Sequence, residues 1–253
     1  MGPPPFTPDS HLVHEVVPSP NHGERRTAID ILLLHYTGMP DADDALQRLC
    51  DPASAVSAHY FVFEDGRLMQ CVPEARRAWH AGEASWSGMA DINSRSIGIE
   101  IANPGHGWRY DEFPDAQIAA VISLCRDILA RRPIPSAHVL GHSDVAPMRK
   151  QDPGEKFPWD RLAAAGIGAW VAPEPITQGV ALSMGDDGPE VRDLQAQLAE
   201  YGYGLRPNGR YDETTRDVVA AFQRHFRRTR VDGVADASTL GTLARLLAAV
   251  KMS

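Results

Sequence analysis

A short, nearly continuous apolar run at residues 29–35 constrains the fold more than any other feature of the sequence. It reads Ile-Asp-Ile-Leu-Leu-Leu-His and fits a central, buried β-strand. Further strands are predicted at residues 59–64, 67–72, 96–102 and 137–141, and helices at residues 43–50 and 115–131. Because strands and helices mix with hairpin and crossover spacings, the sequence predicts an α/β domain. We expect a mixed central β-sheet flanked by helices and ending near Trp170.

Composition changes along the chain and predicts four segments. Residues 1–27 are rich in Pro, Ser, His and Asn and predict an extended N-terminal lead-in. The α/β domain is expected to span residues 12–170, and the Pro- and Gly-containing stretch 171–179 reads as a linker. Residues 180–250 predict a separate, small helical domain.

This C-terminal segment carries the signals of three helices. Pro189 occupies a favoured first position of an amphipathic helix that runs to Tyr201. Asp212 and Asp236 are predicted N-caps of two further helices. Each follows a turn glycine, because a Gly-x-x-Asp-x-x-Thr spacing occurs twice, beginning at Gly209 and at Gly233.

Charge and composition exclude some classes of protein. The formal net charge of −8 argues against a basic face for a nucleic-acid partner. The sequence has no run of about 18 apolar residues, so no membrane span is predicted. The start, Met-Gly-Pro-Pro-Pro-Phe, lacks the regions of a signal peptide, and the 3 cysteines are at no recognisable metal or redox spacing. Both features favour the cytoplasm, with the periplasm or cell envelope as the alternative.

The loop from Gly141 to Gly154 is the main candidate for chemistry. It contains His142 and Asp152, whose imidazole and carboxylate are good zinc ligands, with Lys150 two positions before the Asp. Taken singly, Asp152 could be an ordinary loop cap and Lys150 a solvated cation. Three chemically capable side chains in one Gly/Pro-punctuated loop favour a functional site.

Two upstream residues complete the predicted site. His35 ends the apolar run and is either a reactive group or a core histidine with a backbone partner. Glu100 lies in the apolar strand Ile-Gly-Ile-Glu-Ile and either faces a cleft or lies at a solvated edge. The hypothesis is that His35, His142 and Asp152 bind Zn²⁺ and leave one position open.

The chemistry expected of that site is metal-assisted hydrolysis of an amide. Zn²⁺ lowers the pKa of water, Glu100 takes the proton and delivers it to the leaving amine, and Lys150 shares the negative charge of the tetrahedral intermediate. Trp79 and His80 are predicted to line the substrate groove, whereas His225 has no supporting context in the sequence.

Five sequence motifs together resemble a known family. They are Leu34-His35-Tyr-Thr, Val56-Ser-Ala-His-Tyr, Ala78-Trp-His-Ala-Gly, Asn93-Ser-Arg-Ser-Ile-Gly-Ile-Glu, and Gly141-His-Ser-Asp-Val-Ala-Pro-Met-Arg-Lys-Gln-Asp-Pro-Gly154. This order resembles the zinc-dependent N-acetylmuramoyl-L-alanine amidases of the AmpD/AmiD type, which share their fold with peptidoglycan recognition proteins. The resemblance covers roughly residues 12–170.

The resemblance implies a bond, a cofactor and site residues. The bond is the amide between the lactyl group of N-acetylmuramic acid, or its 1,6-anhydro form, and L-alanine of the stem peptide. The implied ligands are His35, His142 and Asp152, with Glu100 and Lys150 catalytic. Asn93 and Arg95, with His80, match motif positions expected in the substrate groove.

The C-terminal segment resembles peptidoglycan-binding domain 1, through Gly185-Asp-Asp-Gly-Pro-Glu-Val-Arg-Asp-Leu-Gln, Asn208-Gly-Arg-Tyr-Asp and Val231-Asp-Gly-Val-Ala-Asp. The expected partner is therefore peptidoglycan or a muropeptide. Two alternatives stay open at this point: a non-catalytic peptidoglycan-binding protein, and a zinc peptidase acting within the stem peptide. The sequence predicts no oligomeric state and leaves both intact wall and anhydro-muropeptides as substrates.

Overall fold

A computed structural model describes residues 6–252 of the chain. The strands are β1 (Glu15–Val16), β2 (His22–Glu24), β3 (Ile31–Tyr36), β4 (Tyr60–Val62), β5 (Leu68–Gln70), β6 (Arg76–Ala78), β7 (Ser96–Ile101) and β8 (Val139–Gly141). The α-helices are α1 (Ala42–Cys50), α2 (Ile92–Arg95), α3 (Asp115–Arg131), α4 (His142–Val145), α5 (Trp159–Ala164), α6 (Pro189–Tyr201), α7 (Glu213–Phe226) and α8 (Ala237–Lys251).

Six of these strands form the central sheet, in the order β1-β5-β4-β7-β3-β8. All neighbouring pairs are parallel except β4 with β5, which form the predicted antiparallel hairpin. The remaining strands, β2 and β6, form a separate antiparallel pair. The predicted fold class, a mixed sheet flanked by helices with a helical C-terminal part, is confirmed.

The apolar run is buried and paired on both sides, as predicted, but it lies next to the edge strand β8 and not in the middle of the sheet. Strand β3 pairs with β7 on one side and β8 on the other. Its side chains alternate between two apolar clusters, as the two-residue period of a strand requires. Leu32 and Leu34 join the cluster around α3, whereas Ile31 and Leu33 join the cluster on the opposite face. Covering on both faces explains why the run is apolar at nearly every position.

The lead-in contains more structure than its composition predicts. Strand β1 adds to the edge of the central sheet beside β5, and β2 pairs with β6. These strands have two or three residues each, which is too few for a periodic pattern in the sequence. Residues 1–5, where the signal-peptide prediction falls, lie outside the described residues.

The C-terminal helices α6–α8 have the starts that the sequence predicts. Pro189 is the first residue of α6. The side chains of Asp212 and Asp236 accept hydrogen bonds from the backbone N–H groups of Thr215 (3.0 Å) and Thr239 (2.8 Å), at the starts of α7 and α8. Each cap satisfies an N–H group that has no partner within its helix.

These helices pack directly on the α/β part of the chain. One apolar cluster joins Ile31 and Leu33 of the sheet with Trp86 and with buried residues of α6, α7 and α8. The Trp86 ring meets Tyr201 and Tyr203 edge-on, with ring centroids 5.6 and 5.1 Å apart. Within residues 6–252, no helix is long and apolar enough to cross a lipid bilayer.

Candidate active site

The pairing of β3 with β7 brings His35 and Glu100 together. They are register partners in the parallel ladder, so their side chains lie on the same face of the sheet. That face is the one opposite α3, because Leu34 and Ile99, which immediately precede the two residues, point to the cluster around α3. The two predicted residues, 65 positions apart in the chain, therefore lie side by side.

Strand β8 places His142 beside the same pair. Gly141, the last residue of β8, is the register partner of Leu34, so His142 begins α4 next to His35. The chain then returns, and the Ser143 N–H donates to the Asp152 carbonyl over 2.9 Å. This backbone bond closes the loop and carries the Asp152 carboxylate back to His142.

Three ligand atoms converge where these elements meet. The Nδ1 atoms of His35 and His142 are 2.9 Å apart, and each is 3.1 Å from Oδ2 of Asp152. All three side chains are buried. Two imidazole nitrogens and one carboxylate oxygen are a ligand set of catalytic zinc sites, in which the fourth position is left open. The donor set and its spacing fit a single zinc ion.

The outer nitrogens of both imidazoles have partners that assign their tautomers. Nε2 of His142 is 3.0 Å from the Ala81 carbonyl, to which it must donate. Nε2 of His35 is 3.0 Å from Nδ1 of His80, whose own Nε2 is 3.3 Å from the Ser96 hydroxyl. With a proton on each Nε2, the Nδ1 lone pairs of His35 and His142 are free for a metal, and both rings are fixed in orientation.

Protonation favours the same ligand set. Burial, together with the neighbouring His142, lowers the pKa of His35 to about 4, so the ring is neutral at physiological pH. Burial opposes ionisation of Asp152, but the hydrogen-bonded His142 and His35 outweigh it and hold its pKa well below the ordinary range. Neutral imidazoles and a carboxylate are the forms that bind a metal.

Glu100 and Lys150 line the same cavity of about 580 Å³ as the three ligands. Oε2 of Glu100 is buried and has no hydrogen-bond partner among the described residues. Burial raises the pKa of Glu100 well above its usual range, Asp152 adds to the rise, and Lys150 acts against it. An unpartnered carboxyl that faces a cavity is prepared to exchange a proton.

Trp79 and His80 also line this cavity. His80 is more deeply engaged than the groove prediction implies, because its ring contacts His35. Gly98 makes room for that ring: a Cβ at this position would lie 2.5 Å from Nδ1 of His80. The glycine in the Ile-Gly-Ile-Glu motif thus allows the His80 ring to approach strand β7 closely.

Asn93 and Arg95, predicted to lie in the substrate groove, are not among the residues that line the cavity. Oδ1 of Asn93 accepts hydrogen bonds from the backbone N–H groups of His80 and Ala81, at 3.0 and 2.8 Å. Arg95 is buried and paired with Asp30, with a further bond to the Trp86 carbonyl over 3.0 Å. Their partners are structural, and their contact with substrate remains a prediction.

Other cavity residues were not singled out from the sequence. The lining residues without a predicted role include Thr37, Arg48, Ser57, His106 and Arg149. Asp144, inside the Gly141–Gly154 motif, is buried and bonded to residues of the C-terminal helices. The sequence signal that could have identified Asp144 is its position, as a charged residue between the two predicted ligands His142 and Asp152.

Two family models match the chain. An N-acetylmuramoyl-L-alanine amidase model matches residues 25–155, which include all five residues of the predicted metal and catalytic set. A peptidoglycan binding domain model matches residues 187–243, within the three C-terminal helices.

Curated relatives share these regions. The chain is 40% identical to N-acetylmuramoyl-L-alanine amidase AmiD of Escherichia coli K12 over 237 residues, covering 87% of this chain and 82% of AmiD. It is 34% identical to 1,6-anhydro-N-acetylmuramyl-L-alanine amidase AmpD of Enterobacter cloacae over 170 residues, covering 58% of this chain and 87% of AmpD.

Solved structures show the same similarity in three dimensions. The complex of E. coli AmiD with anhydro-N-acetylmuramic acid-L-Ala-D-gamma-Glu-L-Lys superposes with a TM-score of 0.74 at 39% identity, covering 87% of this chain and 89% of that one. AmpDh3 from Pseudomonas aeruginosa gives a TM-score of 0.70 at 33% identity, covering 86% and 91% of the two chains.

Proposed function

The chain belongs to the N-acetylmuramoyl-L-alanine amidase family, and from this membership we propose how its own residues hydrolyse the amide. The observation that carries the proposal is the convergence of His35, His142 and Asp152, whose ligand atoms all lie within 4.8 Å of one another, beside the unpartnered carboxyl of Glu100. We propose that the three residues hold zinc and that Glu100 and Lys150 act on the substrate.

The zinc assignment rests on the donor atoms and their surroundings. Nδ1 of His35, Nδ1 of His142 and Oδ2 of Asp152 are the three protein ligands, and the cavity gives access to the open position. When bound there, zinc supplies a Lewis acid that polarises the scissile carbonyl and lowers the pKa of water. An all-carboxylate site would favour Mg²⁺ or Ca²⁺ instead.

Glu100 moves the proton in this proposal. Its carboxylate takes a proton from the attacking water as the oxygen bonds to the carbonyl carbon. The same carboxyl then gives that proton to the L-alanine nitrogen as the carbon–nitrogen bond breaks. The raised pKa of Glu100 suits both steps, because a group that titrates nearer neutrality can accept and return a proton at the working pH.

Lys150 stabilises the charge that develops on the carbonyl oxygen. Lys150 lines the cavity together with the ligands, and its backbone N–H donates to the Ala146 carbonyl over 3.0 Å. A cation held near the tetrahedral intermediate is worth more in a partly buried site than in water.

The proposed substrate is a muramyl peptide, in polymeric or anhydro form. AmiD and AmpDh3 have been solved with anhydro-muramyl peptides, and the chain aligns with most of both proteins. Trp79 and His80, which line the cavity, are proposed to contact the substrate. The C-terminal helices are proposed to bind peptidoglycan, which would favour intact wall over small fragments.

Product analysis separates this function from the alternatives. Digestion of purified sacculi and of an anhydro-muropeptide, followed by mass spectrometry, is expected to release peptides with a free N-terminal L-alanine. Cleavage inside the stem peptide would instead indicate a peptidase, and unchanged muropeptides would indicate a binding protein. A faster reaction on sacculi would support the wall-binding role of the tail.

Metal analysis tests the ligand set. The purified protein is expected to hold about one zinc per chain and to lose activity on removal of the metal by a chelator. Asp152→Ala should lose zinc and activity together, whereas Asp65→Ala, at an exposed hairpin turn, should keep both. Full activity in Asp152→Ala would refute the assignment.

A further inference from the structure

Asp144 links the metal-binding loop to the C-terminal helices. It lies two residues after His142, and only 1% of its surface is exposed. Its Oδ2 accepts from the Gly141 N–H and from Nδ1 of His225, each at 2.8 Å, and its Oδ1 accepts from the Tyr203 hydroxyl at 2.7 Å. One donor belongs to the loop itself, and the other two are 59 and 81 residues further along the chain.

The turn that carries His142 depends on this carboxylate. Helix α4 has four residues, and a single helical turn has little stability of its own. Gly141 is the N-cap of α4 and Asp144 is its third residue. The hydrogen bond from the Gly141 N–H to the Asp144 carboxylate is therefore one of the two bonds of a capping box. Gly141 immediately precedes His142, so this bond fixes the backbone from which the His142 imidazole projects.

The two C-terminal donors are themselves held rigidly. Tyr203 is 2% exposed and packs edge-on against Trp86, and Gly202 before it leaves space that a Cβ would take from the Trp86 ring. His225 is also 2% exposed and stacks on Trp159, with ring centroids 3.7 Å apart. The hydrogen bonds from Tyr203 and His225 therefore fix the position of the Asp144 carboxylate.

We infer that Tyr203 and His225 are positioning residues of the amidase site. Through Asp144 and the Gly141 N–H they hold the α4 turn in the orientation that directs Nδ1 of His142 toward His35 and Asp152. The inference rests on the proposed function, since it concerns the same metal ligands. It gives the C-terminal helices a part in the metal centre in addition to any binding of the cell wall.

The expected consequence is a looser metal site when either donor is lost. Loss of a residue that orients a metal ligand without binding the metal typically changes metal affinity or activity by about 10- to 100-fold. Because Tyr203 acts through a carboxylate and a backbone bond, we expect a loss near the lower end, about tenfold in zinc affinity.

The test uses the full chain and two matched substitutions. Tyr203→Phe removes the hydroxyl that reaches Asp144. Tyr211→Phe removes an equally buried hydroxyl, which donates over 2.8 Å to the Gly233 carbonyl within the C-terminal helices. Zinc affinity is measured by competition with a chromophoric chelator, and ligand geometry by the absorption spectrum of the cobalt-substituted protein. Both variants lose a buried hydrogen bond, so a general loss of stability affects them alike.

We expect Tyr203→Phe to bind zinc about tenfold more weakly and to alter the cobalt spectrum, with a lower kcat and little change in KM on a soluble muropeptide. Tyr211→Phe should keep the wild-type affinity and spectrum. His225→Phe, which preserves the stacking on Trp159, gives a second route to the same loss if Tyr203→Phe folds poorly.

A double substitution checks that the effect passes through Asp144. In an Asp144→Ala background, which has no acceptor for the Tyr203 hydroxyl, Tyr203→Phe should weaken zinc binding by much less than in the wild-type background. Wild-type zinc affinity and spectrum in both Tyr203→Phe and His225→Phe would overturn the inference. A wild-type protein without zinc or amidase activity would overturn the proposed function instead, so the two failures are distinguishable.

Discussion

Two glutamates near the central sheet, the buried Glu74 and the half-buried Glu100, have opposite surroundings. The Glu74 carboxylate is fully buried and accepts hydrogen bonds from the Tyr60 hydroxyl and from the guanidinium groups of Arg131 and Arg132, at 2.7 to 3.1 Å. Burial opposes its ionisation, but Arg131 and the other donors outweigh burial and lower its pKa. Glu100 has an unpartnered Oε2 and a pKa that burial raises.

The difference distinguishes a carboxylate that stabilises the fold from a carboxylate that takes part in chemistry. A buried carboxylate whose lone pairs are all satisfied stabilises the fold and stays ionised. A carboxyl oxygen that is buried without a partner, such as Oε2 of Glu100, destabilises the fold and is typical of a functional site. Substitution of Glu74 should therefore lower stability and preserve turnover, whereas substitution of Glu100 should abolish most turnover and preserve stability.

Glu100→Gln should give the largest change, a loss of kcat of about a thousandfold, equivalent to roughly 4 kcal/mol, because the proton carrier is removed while its shape is kept. The measurement is kcat on a soluble muropeptide at saturating zinc. Glu64→Gln, at an exposed position beside the hairpin turn, is the control and should match the wild type. Retained turnover in Glu100→Gln would contradict the proposed role of Glu100 as the proton carrier.

Lys150→Ala should lower kcat by about a hundredfold, since one stabilising charge in the transition state is lost while the ligands remain. Zinc content, measured by atomic emission, should stay at the wild-type level. Lys156→Ala removes a lysine that is not among the residues lining the cavity and should leave kcat unchanged. Loss of zinc in Lys150→Ala would mean that the lysine has a structural role.

Glu74→Gln should reverse the pattern, destabilising the fold by about 2 kcal/mol with kcat preserved. The expected loss of unfolding free energy is moderate because the Arg131 and Arg132 side chains are about a third exposed and remain partly solvated. Since the folded pKa of Glu74 is lowered, its contribution is present above the unfolded pKa of about 4.3 and is lost as pH falls through the folded pKa. Urea unfolding of both proteins at several pH values measures this difference.

In the metal-free protein, Glu100→Gln should stabilise the fold slightly, by about 1 kcal/mol near pH 7. The folded pKa of Glu100 is raised, so the wild type loses stability as pH rises above the unfolded pKa of about 4.3, whereas the Gln variant does not. The gap between the two unfolding free energies should widen with rising pH and close below about pH 4. A gap that narrows with rising pH would contradict the proposed environment of Glu100.

The sequence predicted the main elements and the residues that meet at the site. Strand β3 and helix α3 have strong apolar patterns, and the caps Asp212 and Asp236 carry a local hydrogen-bonding signal, so each could be read from neighbouring residues. His35 and Glu100 were both candidates from their strands. That they are register partners followed only from the pairing of β3 with β7.

Features that depend on distant parts of the chain could not be read in this way. His225 has no local context in the sequence, and its partners Asp144 and Trp159 become visible only when α7 packs on the α/β part. His80 was placed in the groove, whereas its bond to His35 requires the close approach that Gly98 permits. Single-sequence patterns report periodicity and capping, and they carry no direct information on such long-range contacts.

The apolar cluster shared by β3 and the C-terminal helices has a consequence for how the chain unfolds. Two modules with separate cores melt independently, but Leu33, Trp86 and Phe222 belong to one continuous core. We expect a single calorimetric transition for the chain, and similar protection from hydrogen exchange for amides of β3 and of α7. The linker would then join two sequence modules that constitute one cooperative folding unit.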